Sequence, residues 1–423
     1  MSSILGIPIP AAWSSAPLKH VTSMLSRGSA PDYVDIGAVR AISQASNQST
    51  GLDWSRTRYH DFHGNLRNLK GLLQDDDVLI NSTGTGTLGR VGYFSEAPDR
   101  IPCMADGHVT VARAKVDALD PRFGYYWIGS QPFQEYIYAA LIVGATNQIE
   151  LNRDRLGGAP VPLPPIDEQR RIADFLDVET ARVDRLASAR SAQLSLLDER
   201  ERVALDEIFA KARSGAATRL KYLFSVRPRY GVLVPQFVDS GVPFIRVNDL
   251  LDLDGRAPGL RMIPATLSAQ YARTVVKPGD LLISVVGTLG RSAIASELVA
   301  GANIARAVCS VRVAADVEVE LVRAWLGTTS FRNQAVDATS TDTAQPTLGM
   351  EDLANFTFEW PTSSQERRSL VKSIDSARSA LARLRQGLDT QRDLLAERRQ
   401  VLITAAVTGQ FDVSTASGRG VDV

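Results

Sequence analysis

The chain has little of several residue types, and each shortage argues against a class of protein. Two cysteines, Cys103 and Cys309, are too few for a disulfide framework, and neither belongs to a CxxC pair. Four histidines, without an HExxH pattern or a Cys/His cluster, argue against a metal site. No run of about 18 apolar residues occurs, so no membrane span is predicted. The first residues lack a basic segment followed by an apolar core, so no signal peptide is predicted and the sequence favours a cytoplasmic protein.

Net charge is absent as well. Among 423 residues, Lys+Arg and Asp+Glu both number 47. This balance excludes nucleic-acid binding through a strongly basic domain or tail, but it allows a local basic patch. Hydrophobic residues make up 44% and charged residues 22%, which is typical of a soluble globular protein, and the length predicts two or three domains.

The sequence repeats itself after about 200 residues. The pentapeptide GTLGR at Gly86–Arg90 recurs letter for letter at Gly287–Arg291. Further landmarks recur in the same order and at nearly the same spacing: Leu18-Lys19 with Leu220-Lys221, Gln148 with Gln345, Arg170-Arg171 with Arg367-Arg368, and Leu196-Leu197 with Leu394-Leu395. Ordered landmarks of this kind predict a tandem duplication.

Each copy begins with a globular part of mixed character. Short β-rich runs bounded by Gly, Pro and Asn/Asp alternate with stretches of helical pattern, which predicts an α+β fold over 1–165 and again over 214–362. The predicted strands are Val34–Val39, Asp77–Ser82 and Pro243–Leu250, and the predicted helices are Pro121–Leu141 and Val319–Val336.

A long helix is predicted after each globular part, over 166–213 and 363–410, which leaves a tail at 411–423. Prolines precede each helix and none interrupts it, and Asp167 or Ser363-Ser364 can cap the first turn. From Leu370 to Leu388 the apolar residues recur at spacings of four and three, the period of a coiled-coil seam, and the pattern continues through Gln391 and Leu395 to Leu402. Neither helix can bury its stripe alone. We therefore expect an antiparallel pair, with Leu186, Leu194 and Leu197 against Leu381, Leu384 and Leu388.

The glycine-rich segment Gly84–Gly89 reads GTGTLG, the spacing of a dinucleotide-binding loop. No helical pattern follows it, and Val285 replaces the first glycine in the second copy, which argues against nucleotide binding. Two interpretations remain open. The segment is a tight turn between two strands, or it is a turn that presents Thr87, Arg90, Thr288 and Arg291 to DNA phosphates.

Polar residues in loop-like stretches are the other candidate DNA contacts. Arg on guanine and Asn on adenine are common major-groove contacts, whereas a solvated surface loop is the alternative interpretation for any one residue. The candidates in the first half are Arg56, Arg58, Asn65, Arg67, Asn68 and Lys70, and those in the second half are Arg227, Arg229, Tyr230, Arg246, Asn248, Asn303 and Arg306.

No catalytic pattern is found in the sequence. It lacks a DPPY or NPPY methyltransferase motif, a GxxxxGK[ST] phosphate loop and a PD…(D/E)xK nuclease pattern. Asp75, Asp76 and Asp77 look like a metal-binding cluster, but the second copy has only Asp280 at this place. A turn that leads into a strand is therefore the favoured interpretation.

Several motifs together carry a family resemblance. The helix start PPIDEQRRIADFLD, the ending LLAERRQVLITAAVTGQFDV, the GTLGR turn and the FIRVNDL segment resemble the specificity subunits of type I restriction–modification systems. The second helix start departs from this pattern because it lacks the paired prolines. The first helix departs from it as well, since it lacks an ITAAVTG-like ending.

The resemblance implies a function for each part of the chain. Each globular part would be a target recognition domain that reads one half of a split, asymmetric sequence in double-stranded DNA. The antiparallel helices would separate the two domains and dock two methyltransferase subunits, and restriction subunits would join this complex in phage defence. The chain itself would be non-catalytic and without cofactor, because S-adenosylmethionine, ATP and magnesium would belong to the partner subunits.

Two alternatives stay open. The first is the specificity subunit of a related type II or methyltransferase-only system, which differs in its partners. The second is a coiled-coil adaptor with two protein-binding domains and no DNA. A duplicated protein-binding domain would be expected to keep matching surface residues, whereas the polar loops differ between these halves, which favours two different DNA half-sites.

Overall fold

A computed structural model describes residues 3–48, 51–84, 86–144, 149–212, 215–339 and 346–413. The chain divides into two compact units, Met1–Ala189 with Gln391–Val423, and Arg190–Thr390. Two of the repeat landmarks, Gln148 and Gln345, lie outside the described residues, as does the tail from residue 414 onward. Within the described ranges, no helix is both long enough and apolar enough to cross a membrane.

A four-stranded antiparallel sheet forms the centre of the first unit. Its innermost strand is fully buried because both of its faces are covered. Side chains alternate across the sheet, so Ile80 joins one core with Phe123 and Trp127, whereas Leu79 joins a second core with Ile42. In spatial order the strands are Val91–Tyr93, Val78–Asn81, Val109–Ala114 and Thr22–Arg27.

A second sheet in this unit has the order Cys103–Ala105, Val39–Ile42, Arg58–His60 and Tyr33–Val34. The first two of these strands are parallel. The prediction of one strand over Val34–Val39 is wrong, because the chain leaves the sheet between Val34 and Val39. Ile36 is 89% exposed there, and a Cβ at Gly37 would lie 2.7 Å from the carbonyl oxygen of His60.

The second unit repeats this topology. Its main sheet has the order Phe224–Tyr230, Val308–Val313, Leu281–Ser284 and Ser292–Ile294, and its smaller sheet has the order Arg261–Ile263, Val242–Ile245 and Asn303–Ile304. The main sheets have equivalent strand orders, and the smaller sheets share three equivalent strands, which confirms the predicted duplication. The prediction of a strand over Pro243–Leu250 is only half right, because a 3-10 helix, Val247–Leu251, follows the strand.

Both predicted domain helices are interrupted at equivalent places. Pro121–Gly129 and Gln131–Tyr136 are separate helices, followed by a π-helical turn at Ile137–Leu141. Val319–Trp325 and Thr329–Thr339 are likewise separate. At each break a hydroxyl donates a hydrogen bond back to a tryptophan carbonyl, from Ser130 to Trp127 at 2.6 Å and from Thr328 to Trp325 at 2.7 Å. These local bonds compete with helix continuation.

Short elements complete the two units. The paired strands are Ser3–Ile4 with Ile7–Pro8, Ser14–Pro17 with Pro160–Leu163, Asn47–Gln48 with Gly51–Leu52, Ile142–Val143 with Glu150–Leu151, and Gly215–Arg219 with Thr357–Pro361. The short helices are Leu18–Val21, Arg153–Gly158, Leu253–Arg256, Ala265–Gln270 and Met350–Asn355.

The two long helices are the most extended elements. Ile166–Ala210 has 45 residues and Ser364–Val407 has 44, close to the predicted bounds. The Ser363 hydroxyl accepts a hydrogen bond from the Glu366 backbone N–H at 3.4 Å, as a cap does. The expected cap at Asp167 is wrong, because the first helix already begins at Ile166 and Asp167 lies inside its first turn.

Within each unit, segments of the two long helices are joined by ion pairs. In the second unit, Arg378 Nε lies 3.2 Å from Glu201 Oε1, and Arg385 pairs with Asp198. From Arg378 to Arg385 the residue number rises along one helix, while from Glu201 to Asp198 it falls along the other. The segments are therefore antiparallel, as predicted. In the first unit, Arg399 Nε lies 3.0 Å from Asp184 Oδ1.

Burial of the six leucines agrees with the predicted seam only in part. Leu197 and Leu381 are buried, and Leu194 and Leu388 are half-buried. Leu186 and Leu384 are 42% and 52% exposed, so their placement in the seam is wrong. Apolar burial along these helices is concentrated where the domain cores cover them, at Ile172, Leu176 and Ile403 in the first unit and at Leu205, Leu370 and Ile374 in the second.

Candidate nucleic-acid interface

Polar side chains gather at one edge of the main sheet in the first unit, the border that is formed by the termini of its strands. At this edge the strand Val78–Asn81 ends and Val109–Ala114 begins. The Ser82 backbone N–H donates to the His108 carbonyl oxygen at 2.8 Å, and Thr83 Oγ1 lies 2.8 Å from His108 Nδ1. Arg27, at the end of its strand, lies 3.2 Å from the Glu150 carboxylate. The edge therefore combines donors and acceptors that are at least partly exposed.

The equivalent edge of the second unit brings several candidate residues together. The Val285 backbone N–H donates to the Ala307 carbonyl oxygen at 2.9 Å, which places the GTLGR turn beside Arg306. The Arg306 backbone N–H donates to the Val232 carbonyl oxygen at 2.9 Å. The Tyr230 hydroxyl donates to the Leu348 carbonyl oxygen at 3.3 Å. Tyr230, Arg306 and the turn thus share one edge.

The GTLGR segment forms a tight turn in both units, as one of the two interpretations predicts. In the first unit it connects Val78–Asn81 to Val91–Tyr93. Gly89 donates from its backbone N–H to the Asn81 carbonyl oxygen at 2.8 Å, and Gly290 donates to that of Ser284 at 3.0 Å. Gly290 has φ +79°, and a Cβ there would lie 2.4 Å from Phe331. The glycine is required because the turn packs against the domain helix.

The polar side chains of this turn are used differently in the two units. Thr87 donates to the Thr83 carbonyl oxygen at 3.2 Å, and Arg90 donates to the Asn47 carbonyl oxygen at 3.2 Å and to the Gln48 amide oxygen at 3.1 Å. In the second unit Thr288 is exposed and Arg291 is half-buried. These bonds give Arg90 a structural role, and contact of the turn with DNA phosphates stays a prediction.

The polar candidates of the first half lie on the second sheet and on two 3-10 turns, Trp54–Arg56 and Leu66–Asn68. Asp53 contacts Arg56 Nε at 2.9 Å, and the hydrogen bond from the Ser55 hydroxyl lowers the pKa of the Asp53 carboxyl. The side chain of Asn65 accepts from the Arg67 backbone N–H at 3.0 Å and caps its turn. All six predicted side chains are exposed: Arg56, Arg58, Asn65, Arg67, Asn68 and Lys70.

Most polar candidates of the second half are exposed, namely Arg227, Arg229, Tyr230, Asn248 and Arg306. Arg229 Nη1 donates to the Arg273 carbonyl oxygen at 2.9 Å. The other two candidates are held internally. Arg246 Nε lies 3.1 Å from the buried Asp249 carboxylate. Asn303 is fully buried and donates to the Tyr271 carbonyl oxygen at 3.4 Å.

Sequence reasoning missed an arginine–aromatic pair that occurs in both units. Arg58 Cζ lies 3.9 Å from the centre of the Tyr33 ring, and Arg261 Cζ lies 4.8 Å from that of Phe237. Burial is the main cause that raises the pKa of the Tyr33 hydroxyl, and nearby Asp106 raises it further. The sequence did contain a signal, because PDYVDIG at Pro31–Gly37 and PQFVDSG at Pro235–Gly241 form one more repeat landmark.

The aspartates before the central strands form ion pairs. Asp77 has no exposed side-chain surface and lies 2.7 Å from Arg113 Nε, and it also accepts from the Gln74 backbone N–H at 2.8 Å. Asp280 contacts Arg312 in the same way, at 2.6 Å. The interpretation as a turn that leads into a strand is therefore confirmed. Over the described part of the chain, no group of His, Cys, Asp and Glu side chains is arranged to hold a metal ion.

Neither cysteine is placed for chemistry. Both thiols are free and buried, and burial raises the pKa of Cys103 and of Cys309 to about 12. A thiol with such a pKa stays protonated near neutral pH and is a poor nucleophile.

Comparisons with known proteins show which class of protein the chain resembles. Residues 66–195 match a family described as the type I restriction modification DNA specificity domain. The EcoBI specificity subunit of a type I restriction enzyme from Escherichia coli is 26% identical over 386 residues, covering 79% of this chain and 78% of the relative. A putative type I specificity subunit of Haemophilus influenzae is 26% identical over 230 residues, covering 51% of this chain and 54% of the relative.

A solved structure has the same fold. It was determined in work on complex assembly and conformational transition of the type I restriction–modification system, and it covers 96% of this chain and 100% of that chain, with a TM-score of 0.64 and 19% identity. The likeness covers both α+β units and the two long helices. Residues 66–195 thus match a type I DNA specificity domain, and over most of its length the chain is similar to type I specificity subunits, the family that its motifs predicted.

Proposed function

We propose that this chain selects the target sequence of a restriction–modification complex by reading a split, asymmetric site in double-stranded DNA. Each unit acts as a recognition domain for one half-site, with domains at 1–165 and 214–362. The carrying observation is that two sheets with the same strand pairing carry different side chains at equivalent, half-buried positions. Arg40 pairs with Tyr59 across two strands of the first unit, whereas Pro243 pairs with Met262 in the second. Different side chains on the same frame suit different half-sites.

The exposed polar residues of each unit supply the contacts. Arg67 and Asn68 on one side, and Arg227 and Arg306 on the other, have the donors and acceptors that distinguish guanine and adenine in the major groove. Tyr230 adds an apolar surface, and Lys70 neutralises phosphate. Asn303 is left out of the proposed interface, because its buried side chain cannot reach a duplex while the sheet is intact.

The long helices carry the partner surface. Both expose apolar side chains at equivalent positions, namely Leu186 and Leu384, Leu196 and Leu394, and Val203 and Val401, all at least 42% exposed. Because the helices are antiparallel, each unit carries one copy of this set. Identical surfaces in two copies fit two identical partners, so we assign them to two methyltransferase subunits.

Restriction subunits join the complex through those partners, and the assembly works on foreign DNA in the cytoplasm. S-adenosylmethionine, ATP and magnesium belong to the partner subunits. The balanced charge of this chain supports a shared DNA interface, since phosphate neutralisation by cations drives much of DNA affinity. The methyltransferase subunits therefore help to clamp the duplex.

Selection from a random DNA library tests the proposal. The chain is co-purified with its methyltransferase subunits, and bound duplexes are sequenced. We expect two short specified blocks separated by a fixed, unspecified gap, and much weaker retention of DNA by the chain alone. A contiguous or palindromic motif would contradict two separate recognition domains. Tight methyltransferase binding without any sequence enrichment would instead favour the adaptor alternative.

A further inference from the structure

The arginine–aromatic pairs occupy the same place in the two units. Val34 pairs with Tyr59 in the first unit, and Val238 bridges to Met262 in the second. Tyr33 and Phe237, which supply the rings, directly precede these two valines. Arg58 and Arg261 directly precede the valines' partners, Tyr59 and Met262. Tyr33 is 37% exposed and Phe237 is 43% exposed, and both arginines are exposed. The arrangement is therefore a surface feature of the duplicated fold.

These two arginines are held by a ring rather than by a carboxylate. Arg40, Arg113 and Arg312 all form ion pairs with aspartates. Over the described residues, neither Arg58 nor Arg261 has a carboxylate within ion-pair distance. A ring orients the guanidinium and reduces the cost of ordering it, but it forms no ion pair with the guanidinium and leaves the N–H edge open. Such a group is prepared to bind an anion from outside the protein.

We propose that Arg58 with Tyr33, and Arg261 with Phe237, bind backbone phosphates of DNA and anchor each recognition domain independently of sequence. This inference rests on the proposed function. Its main argument is that the pair is kept in both units, while the neighbouring Arg40 and Tyr59 are replaced by Pro243 and Met262. A feature common to two domains that read different half-sites cannot distinguish those half-sites. The planar guanidinium also matches the oxygen geometry of phosphate.

The salt dependence of DNA binding tests this anchor. The intact complex with methyltransferase subunits is compared with R58A, R261A and the double variant, on target DNA and on a scrambled duplex. Each single variant is expected to reduce the slope of log affinity against log salt concentration by about 0.9, and the double variant by about twice that amount. Affinity for both duplexes should fall by the same factor, and the methylated motif should stay unchanged.

Matched variants separate the loss of a cation at the proposed anchor from the loss of an exposed arginine elsewhere. R58K and R261K keep the cation and are expected to keep the salt slope. R153A and R332A remove exposed arginines from helices outside the second sheet and should leave the slope unchanged.

Two results would overturn the anchor. One is an unchanged slope in the double variant, and the other is a loss confined to target DNA with a relaxed position in the methylated motif, which would mean base readout. The wild-type complex provides the separate test of the proposed function. If it shows no preference for target over scrambled DNA, the function fails irrespective of the slopes.

Discussion

Replacement of Asp77 by alanine is expected to lower the free energy of unfolding of the first unit by about 3 kcal/mol. The carboxylate has no exposed surface, and it binds both Arg113 and the Gln74 backbone N–H. Its removal leaves the Arg113 guanidinium, only 23% exposed, without a counter-charge beside the central strand. It also leaves an unpaired backbone donor, which adds to the cost.

Chemical denaturation of the purified chain measures this loss. Asp75→Ala is the matched control, because that carboxylate is exposed two residues away, and its effect should stay within about 0.5 kcal/mol. Asp280→Ala should reproduce the loss in the second unit, because Asp280 binds Arg312 and the Lys277 backbone N–H in the same way. If Asp77→Ala were as harmless as Asp75→Ala, the buried pair would not be what stabilises this strand.

A second large effect is expected on assembly. Changing Leu394 and Val401 to aspartate should remove one of two methyltransferase subunits. Burial of a leucine or valine side chain contributes roughly 1.5–3 kcal/mol, and a buried aspartate costs more than this gain. Leu196→Asp with Val203→Asp should remove the other subunit, because these residues are the equivalents in the second unit.

Native mass spectrometry of the co-purified complex counts the subunits directly. Leu394→Met with Val401→Ile keeps the surface apolar and should retain two methyltransferase subunits. Circular dichroism of the free chain shows whether the aspartate variant keeps its helices. If that variant remains helical and still binds two subunits, the exposed apolar set is not the docking surface.

Features encoded locally were predictable from the sequence. Prolines before Ile166 and Ser364, and the absence of prolines inside, give the long helices within a few residues. The duplicated GTLGR segment gives the tight turn, because its glycines supply the positive φ angles. The single Asp280 in the second copy correctly indicated that Asp75–Asp77 is a turn leading into a strand, because the second copy shows which of the three aspartates the fold requires.

Features that depend on tertiary contacts were not predictable. Asn303 looks like a surface residue, but it lies in a short strand parallel to Val242–Ile245 and is buried there. Leu384 fits a heptad by spacing, and Leu186 was expected in the same seam, yet both are exposed, because burial along these helices is concentrated where the domain cores cover them. The repeat of PDYVDIG as PQFVDSG marks the position of the ring, but the partner Arg58 lies on a separate strand, so the strand register is needed to pair it with Tyr33.

The central claim is that each unit reads its own half-site, and methylation mapping tests it most directly. Methylated adenines are sequenced in cells that carry this chain with its methyltransferase, as wild type, as Arg67→Ala with Asn68→Ala, and as Arg227→Ala with Arg306→Ala. The account predicts a split motif for the wild type. It further predicts that the first variant relaxes one half-site only and the second variant relaxes the other. If either variant altered both half-sites together, the assignment of one half-site to each unit would be wrong.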